Sequence, residues 1–134
     1  MKRLLWTVLG CFGLVAVGVA EEDYARYVNP FIGCSYNGHT FPGASYPSGL
    51  VQPSPDSGKT DWQHCSGYVY DDKTIYGFSQ THLSGTGVPD MGDVLLLPFT
   101  GDDPEKPGEN DKSMEVATPG YYAATLANFG VPTL

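Results

Sequence analysis

The densest group of reactive side chains lies between Ile75 and Pro98, where His82, Ser84, Asp90 and Asp93 share a loop with Gly85, Gly87, Pro89 and Gly92. A loop held between two apolar runs can present hydrogen-bonding groups on a rigid frame, the arrangement that binding sites favour, although the same loop also serves as a plain sheet connection. Most named chemistries fail against its spacing. Gly85-Thr86-Gly87 is followed by Val88-Pro89-Asp90, so a dinucleotide fingerprint lacks its third glycine and its helix. No Gly-Lys-Ser/Thr follows to cradle a phosphate, and His82 stands where a serine nucleophile elbow at Ser84 would need glycine. His82, Ser84 and Asp90 are close along the chain, but a catalytic triad is made in space.

Metal chemistry has equally little support from spacing. His39, His64 and His82 with Cys34 and Cys65 have none of the short paired intervals of zinc sites. Asp90-Met91-Gly92-Asp93 lacks the alternating acidic pattern of an EF-hand calcium loop, which leaves turn-making as the ordinary role of these aspartates and a surface ion as the alternative. Asp61, Asp71, Asp72, Asp90 and Asp93 offer carboxyl groups for acid–base hydrolysis, but nothing in their spacing selects a pair. Trp62, in Asp61-Trp62-Gln63-His64, has two readings. It is a stacking platform for the apolar face of a sugar ring or a tryptophan of the core.

The elements that must position these residues are short and extended. Thr74 to Phe78 alternates as a strand does, and Cys65 to Tyr70 with the turn Asp71-Asp72-Lys73 predicts its antiparallel partner. Val94 to Phe99 is continuously apolar and reads as a central strand; Tyr121 to Leu126 is a fourth, and Leu50 to Gln52 a brief one. Tyr27 to Ile32 is a short strand or a place where aromatics bury against one. Gly33 to Ser48 carries so many glycines and prolines that no regular helix fits, and Gly101 to Lys112, with five acidic residues, reads as a solvated loop. No segment shows an amphipathic helix with caps, and the expected fold is all-β, an incomplete antiparallel β-sandwich.

The phrase G-F-S-Q-T-H-L-S-G-T-G from Gly77 to Gly87, followed by D-M-G-D-V-L-L-L-P, resembles the N-terminal domain of glycoside hydrolase family 92, the calcium-dependent exo-acting α-mannosidases. Three further pieces fit in the same order: Tyr27 to Gly33 with His39 to Ala44, then Cys65 to Tyr70, then Pro119 to Tyr122. Gln80 departs from the pattern, where the family commonly has a second His. The resemblance implies a supersandwich-like N-terminal β-domain packed on a helical (α/α)6-barrel that supplies the catalytic acid, base and Ca²⁺ ligands. No catalytic residue or metal ligand is therefore expected in this chain. It implies an α-mannoside glycan as partner, together with the missing C-terminal barrel, and makes Trp62, His39 and His82 the expected sugar contacts on the pocket rim.

Length and charge set the remaining bounds. A chain of 134 residues suffices for one small domain. Lys2 and Arg3, the apolar run Leu4 to Val17 and small Gly18 and Ala20 have the form of a secretory signal peptide over residues 1–20, too short for a stable membrane span. Residues 21–134 then form the N-terminal β-sandwich domain, in part, and the expected location is secreted or periplasmic. Without Lys2 and Arg3, five basic residues face fifteen acidic ones, which disfavours nucleic acid as a partner. Cys34 and Cys65 are either bridged or two separate buried thiols. Three functional readings compete: the front of an inverting exo-α-mannosidase, a stand-alone carbohydrate-binding module, and a fragment with an apolar face normally covered.

Overall fold

The structure is a computed structural model and describes residues 22–58, 61–89 and 92–133. The signal-peptide reading of residues 1–20 and the role of Asp90 lie outside these residues. The chain enters through a single 3-10 turn, Tyr24–Tyr27, whose cap Asp23 accepts from the Ala25 amide. Among the described residues seven strands follow: β1 Ser54–Asp56, β2 Thr74–Ile75, β3 Gly77–Ser79, β4 Gly108–Glu109, β5 Val116–Thr118, β6 Tyr121–Leu126 and β7 Val131–Thr133. All pairings are antiparallel: β1 with β3, β2 with β4, and β5-β6-β7 as a three-stranded sheet. The all-β antiparallel class expected from sequence is the class observed. Among the described residues no helix is long and apolar enough to cross a membrane.

Strand β6 organises the core because its alternation is regular. Tyr122, Ala124 and Leu126 point inward and bury with Ile75 of β2 and Phe129, while Phe31, Phe78, Leu97, Ala117 and Val131 close around them. Fully burying one such apolar side chain stabilises by about 1.5–3 kcal/mol. A second, polar core sits beside the first. The Glu115 carboxylate accepts from Tyr68 Oη (2.7 Å), Tyr122 Oη, Asn110 Nδ2 (3.1 Å) and Lys112 Nζ (3.0 Å), and it is almost wholly buried. The loop Gly101 to Lys112 is thus solvated along its first half and again at Glu109. Its second half supplies β4, buried Asn110 and the Lys112 cation.

Several expected strands are replaced for identifiable reasons. Cys65 to Tyr70 is not the partner of β2. Its amides go to turns and to distant groups, with Gly67 N to His64 O, Tyr70 N to Cys34 O and Val69 N to Ser57 Oγ, and Gly67 takes φ +85°. Tyr27 to Ile32 follows the second alternative: the chain turns, and Phe31 packs edge-on to Tyr70 at 5.3 Å. Leu50 to Gln52 is irregular, and the strand falls later, at β1, despite Pro55. Phe78 opposite Pro55 directs its own N–H and C=O to Leu96, so the missing proline donor faces a position where the β1–β3 ladder makes no bond. Val94 to Phe99 is not central. It makes one bridge, Leu96 to Phe78, and leaves Val94, Leu95 and Leu96 exposed. Cys34 and Cys65 are separate, buried, free thiols.

Candidate functional site

Three loops meet around Trp62. His39 lies within the glycine-rich loop Gly33 to Ser48 with φ +52°, a left-handed conformation uncommon for a residue with a Cβ. Two long-range contacts hold it there: Gly85 N donates to His39 O at 2.6 Å, and His39 Nδ1 lies 2.6 Å from Thr86 O. A carbonyl oxygen only accepts, so Nδ1 carries the proton, and in the neutral ring Nε2 is left as an acceptor. That Nε2 is buried and has no hydrogen-bond partner. The same Thr86 oxygen accepts from Cys65 Sγ at 2.8 Å, which ties the segment after Trp62 to the loop that carries His82.

Trp62 meets His39 edge to face, with ring centroids 4.9 Å apart, and lies against the Gly87 backbone. A Cβ at Gly87 would come within 2.0 Å of Trp62 Cζ3. The indole nevertheless remains 57% exposed, so one surface faces solvent. An exposed aromatic ring beside a buried unpaired acceptor can stack on an apolar face while accepting one hydroxyl proton.

His82 has a different surrounding. Its ring is buried against Phe41, centroids 5.0 Å apart, with Nδ1 2.9 Å from Gln52 O and Nε2 3.0 Å from Ser79 Oγ and 3.3 Å from Asp56 Oδ1. Both nitrogens are engaged, and the ring braces β1 and β3 against the Gln52 segment. The structure therefore brings His39 and Trp62 together and gives His82 separate partners in β1, β3 and the Gln52 segment. Asp93 accepts from Thr81 Oγ1 at 2.6 Å, a loop-closing role. Gln80 is used locally: its side chain donates to Phe78 O at 3.2 Å.

A second cluster, which the sequence patterns did not single out, surrounds His64. His64 Nδ1 is 2.7 Å from Asp61 Oδ1 and its Nε2 is 2.8 Å from Asp72 Oδ2, which also accepts from Ser57 Oγ at 2.8 Å. Burial alone would lower the His64 pKa, but the hydrogen bonds to Asp61 and then Asp72 outweigh it and hold it above the ordinary imidazole value. The hydrogen bond from His64 in turn holds Asp61 below the usual carboxylate range. The Asp-x-x-His spacing was the available signal, since an aspartate closes a turn over the residues two and three ahead. Among the described residues no group of three or more His, Cys, Asp or Glu side chains is arranged to hold a metal ion.

Known proteins resemble this chain along most of its length. The description "Glycosyl hydrolase family 92 N-terminal domain" matches residues 27–133. An uncharacterised secreted glycosidase of Arthroderma benhamiae is 34% identical over 119 residues, covering 81% of this chain and 15% of its own length. The structure of a family GH92 α-mannosidase from Bacteroides thetaiotaomicron, also solved in complex with mannoimidazole, superposes with a TM-score of 0.78 at 42% identity, covering 83% of this chain and 16% of that one. The GH92 family glycosyl hydrolase CcMan5 follows with a TM-score of 0.68 at 31% identity, covering 78% and 14%. The chain thus spans about one sixth of the length of these relatives. With the match running through the strands and loops that build the Trp62 site, the chain belongs to glycosyl hydrolase family 92, as its N-terminal domain.

Proposed function

We propose that this chain forms the N-terminal part of a secreted, inverting exo-α-mannosidase acting on mannose-containing glycans, where it contributes to sugar binding and domain packing. The observation that carries the reading is the pairing of an exposed Trp62 ring with the unpaired, buried Nε2 of His39. Trp62 would stack on the apolar face of a pyranose, and His39 would accept one hydroxyl proton, its orientation fixed by Thr86 O. Of the three contacts expected from sequence, these two make the proposed surface, and His82 enters as the brace that keeps their frame rigid. The α-mannosidase named among the relatives supports mannose as the sugar.

Catalysis is assigned to residues beyond this chain. An inverting glycosidase needs an acid and a base with room for water between them, and the implied calcium needs six or more oxygen ligands. The exposed strip Val94, Leu95 and Leu96 offers an apolar face for the helical domain that the family resemblance implies. In the full-length polypeptide, Trp62→Ala should raise KM for α-mannosides about tenfold with kcat nearly unchanged, as expected when a stacking contact made equally in ground and transition states is removed. Unchanged KM would remove Trp62 from the pocket. Retained anomeric configuration, or mannose release that survives chelation, would refute the inverting, calcium-dependent reading.

A further inference from the structure

The segment Asp61–His64 is a turn built around Trp62, and what holds it closed lies outside the sugar-facing surface. Asp61 Oδ1 accepts from Gln63 N (3.0 Å), His64 N (3.1 Å) and the His64 ring (2.7 Å), so one carboxylate oxygen gathers the whole turn. The other side of the His64 ring is fastened 2.8 Å away to Asp72, which Ser57 anchors in turn, and Ser57 also accepts from Val69 N. Gly58 lies flat under the imidazole, where a Cβ would come within 1.9 Å of Cδ2. Trp62 thus rests against Gly87 and His39, and the turn that carries it is fastened through an imidazole bonded to two carboxylates.

We propose that His64 is a positioning residue for Trp62: its doubly bonded ring locks the turn that presents the indole, and loss of one ring proton releases an arm and loosens the platform. The logic is that of donors and acceptors. Both partners of the ring are aspartate oxygens, which only accept, so both arms need N–H donors and only the imidazolium has two. A neutral ring keeps one arm and turns a lone pair toward the other carboxylate. The departing proton has a route to solvent, since an open cavity of about 280 Å³ is lined by His64, Asp61, Asp72 and Ser57. Lys73, Thr74 and Tyr76 line the same cavity, so the groups facing His64 from neighbouring elements are one carboxylate, two hydroxyls, one phenol and one ammonium. The raised pKa of His64 agrees with this arrangement and sets the sign: closed at lower pH, loosened above. The inference rests on the sugar-platform reading of Trp62 for its functional meaning, but not for its physical content.

The test uses the full-length polypeptide labelled with fluorotryptophan, with the Trp62 signal identified as the one absent from Trp62→Phe. Expected is a fluorine shift of Trp62 with a single midpoint above the ordinary histidine value of about 6.5, absent in His64→Gln and moved down in Asp72→Asn. Methyl α-mannoside should bind about twofold to tenfold more weakly above that midpoint, the worth of one hydrogen bond, and this step should vanish in His64→Gln. A Trp62 signal that titrates unchanged in His64→Gln, or one that stays flat, overturns the proposal. Asp72→Asn leaves the Asp61 turn intact and carries the test if His64→Gln misfolds. If Trp62 follows His64 while Trp62→Ala binds the sugar normally, the lock stands and the platform reading falls. The reverse pattern sinks the lock alone.

Discussion

Trp62 rests directly on Gly87, so closely that any side chain there would displace it. No positive φ requires glycine at this position, and the indole is exposed enough to swing away, so alanine costs little in stability while destroying the placement of the ring. Gly87→Ala should therefore change unfolding free energy by less than about 0.5 kcal/mol, the range of ordinary surface substitutions. Affinity for an α-mannoside should still fall about as far as in Trp62→Ala. Titration calorimetry beside urea unfolding checks both halves, and a large stability loss with normal binding would contradict the placement.

Glu115 gives the opposite pattern, with stability at stake and the proposed sugar surface untouched. Two phenols, an amide and an ammonium converge on its carboxylate. Burial first, then the hydrogen bond to Glu115, pushes the Tyr68 hydroxyl well up, so it remains a donor across the working pH range. Glu115→Ala leaves several buried donors unpaired and should cost about 3 kcal/mol, against about 1 kcal/mol for Tyr122→Phe, which removes a single bond. Urea unfolding of the two variants checks the ratio. Equal losses would mean that the network relaxes around a missing carboxylate.

How much of this was legible depends on whether a residue's partner is near in sequence. Tyr121 to Leu126 and Thr74 to Phe78 showed their inward and outward faces through alternation, and both regions form strands. Cys65 to Tyr70 misled because Tyr68 is buried to reach Glu115, 47 residues away, and not to join a ladder. Val94 to Leu96 misled because continuous apolarity predicts burial without saying against what. At the site, residue type pointed to Trp62 and the family resemblance added His39 and His82, but the pairing of Trp62 with His39 depends on Thr86 and Gly87. Those two residues carry no chemical signature, since one acts through its carbonyl oxygen and the other through the absence of a side chain.

The Asp61–His64–Asp72 bridge should give stability a two-sided pH dependence. His64 has a folded pKa above its unfolded value, so its contribution is complete below about pH 6.5 and is lost as pH rises through the folded pKa. Asp61 has a folded pKa below its unfolded value, so its contribution is present above about pH 3.9 and is lost as pH falls through the folded pKa. The gap in urea midpoint between the parent and His64→Gln should thus be widest between these limits and shrink at higher pH. A gap that widens as the solution is made alkaline would reverse the sign and exclude a stabilising imidazolium.

Leu126 and Gly108 test the packing that supports the whole frame. Leu126 is fully buried on β6, and a Cβ at Gly108 of β4 would come within 2.7 Å of its Cδ2. Leu126→Ala removes apolar contact and leaves a cavity, a loss of about 2–5 kcal/mol. Gly108→Ala inserts a methyl into occupied space and should cost about 1–3 kcal/mol through overpacking. In the double variant the new methyl enters the space that the leucine vacated. Its loss should be smaller than the sum of the two by about 1 kcal/mol or more, because residues in contact are not independent. Chemical denaturation of the three variants gives the coupling, and strict additivity would show that β4 and β6 do not meet through this pair.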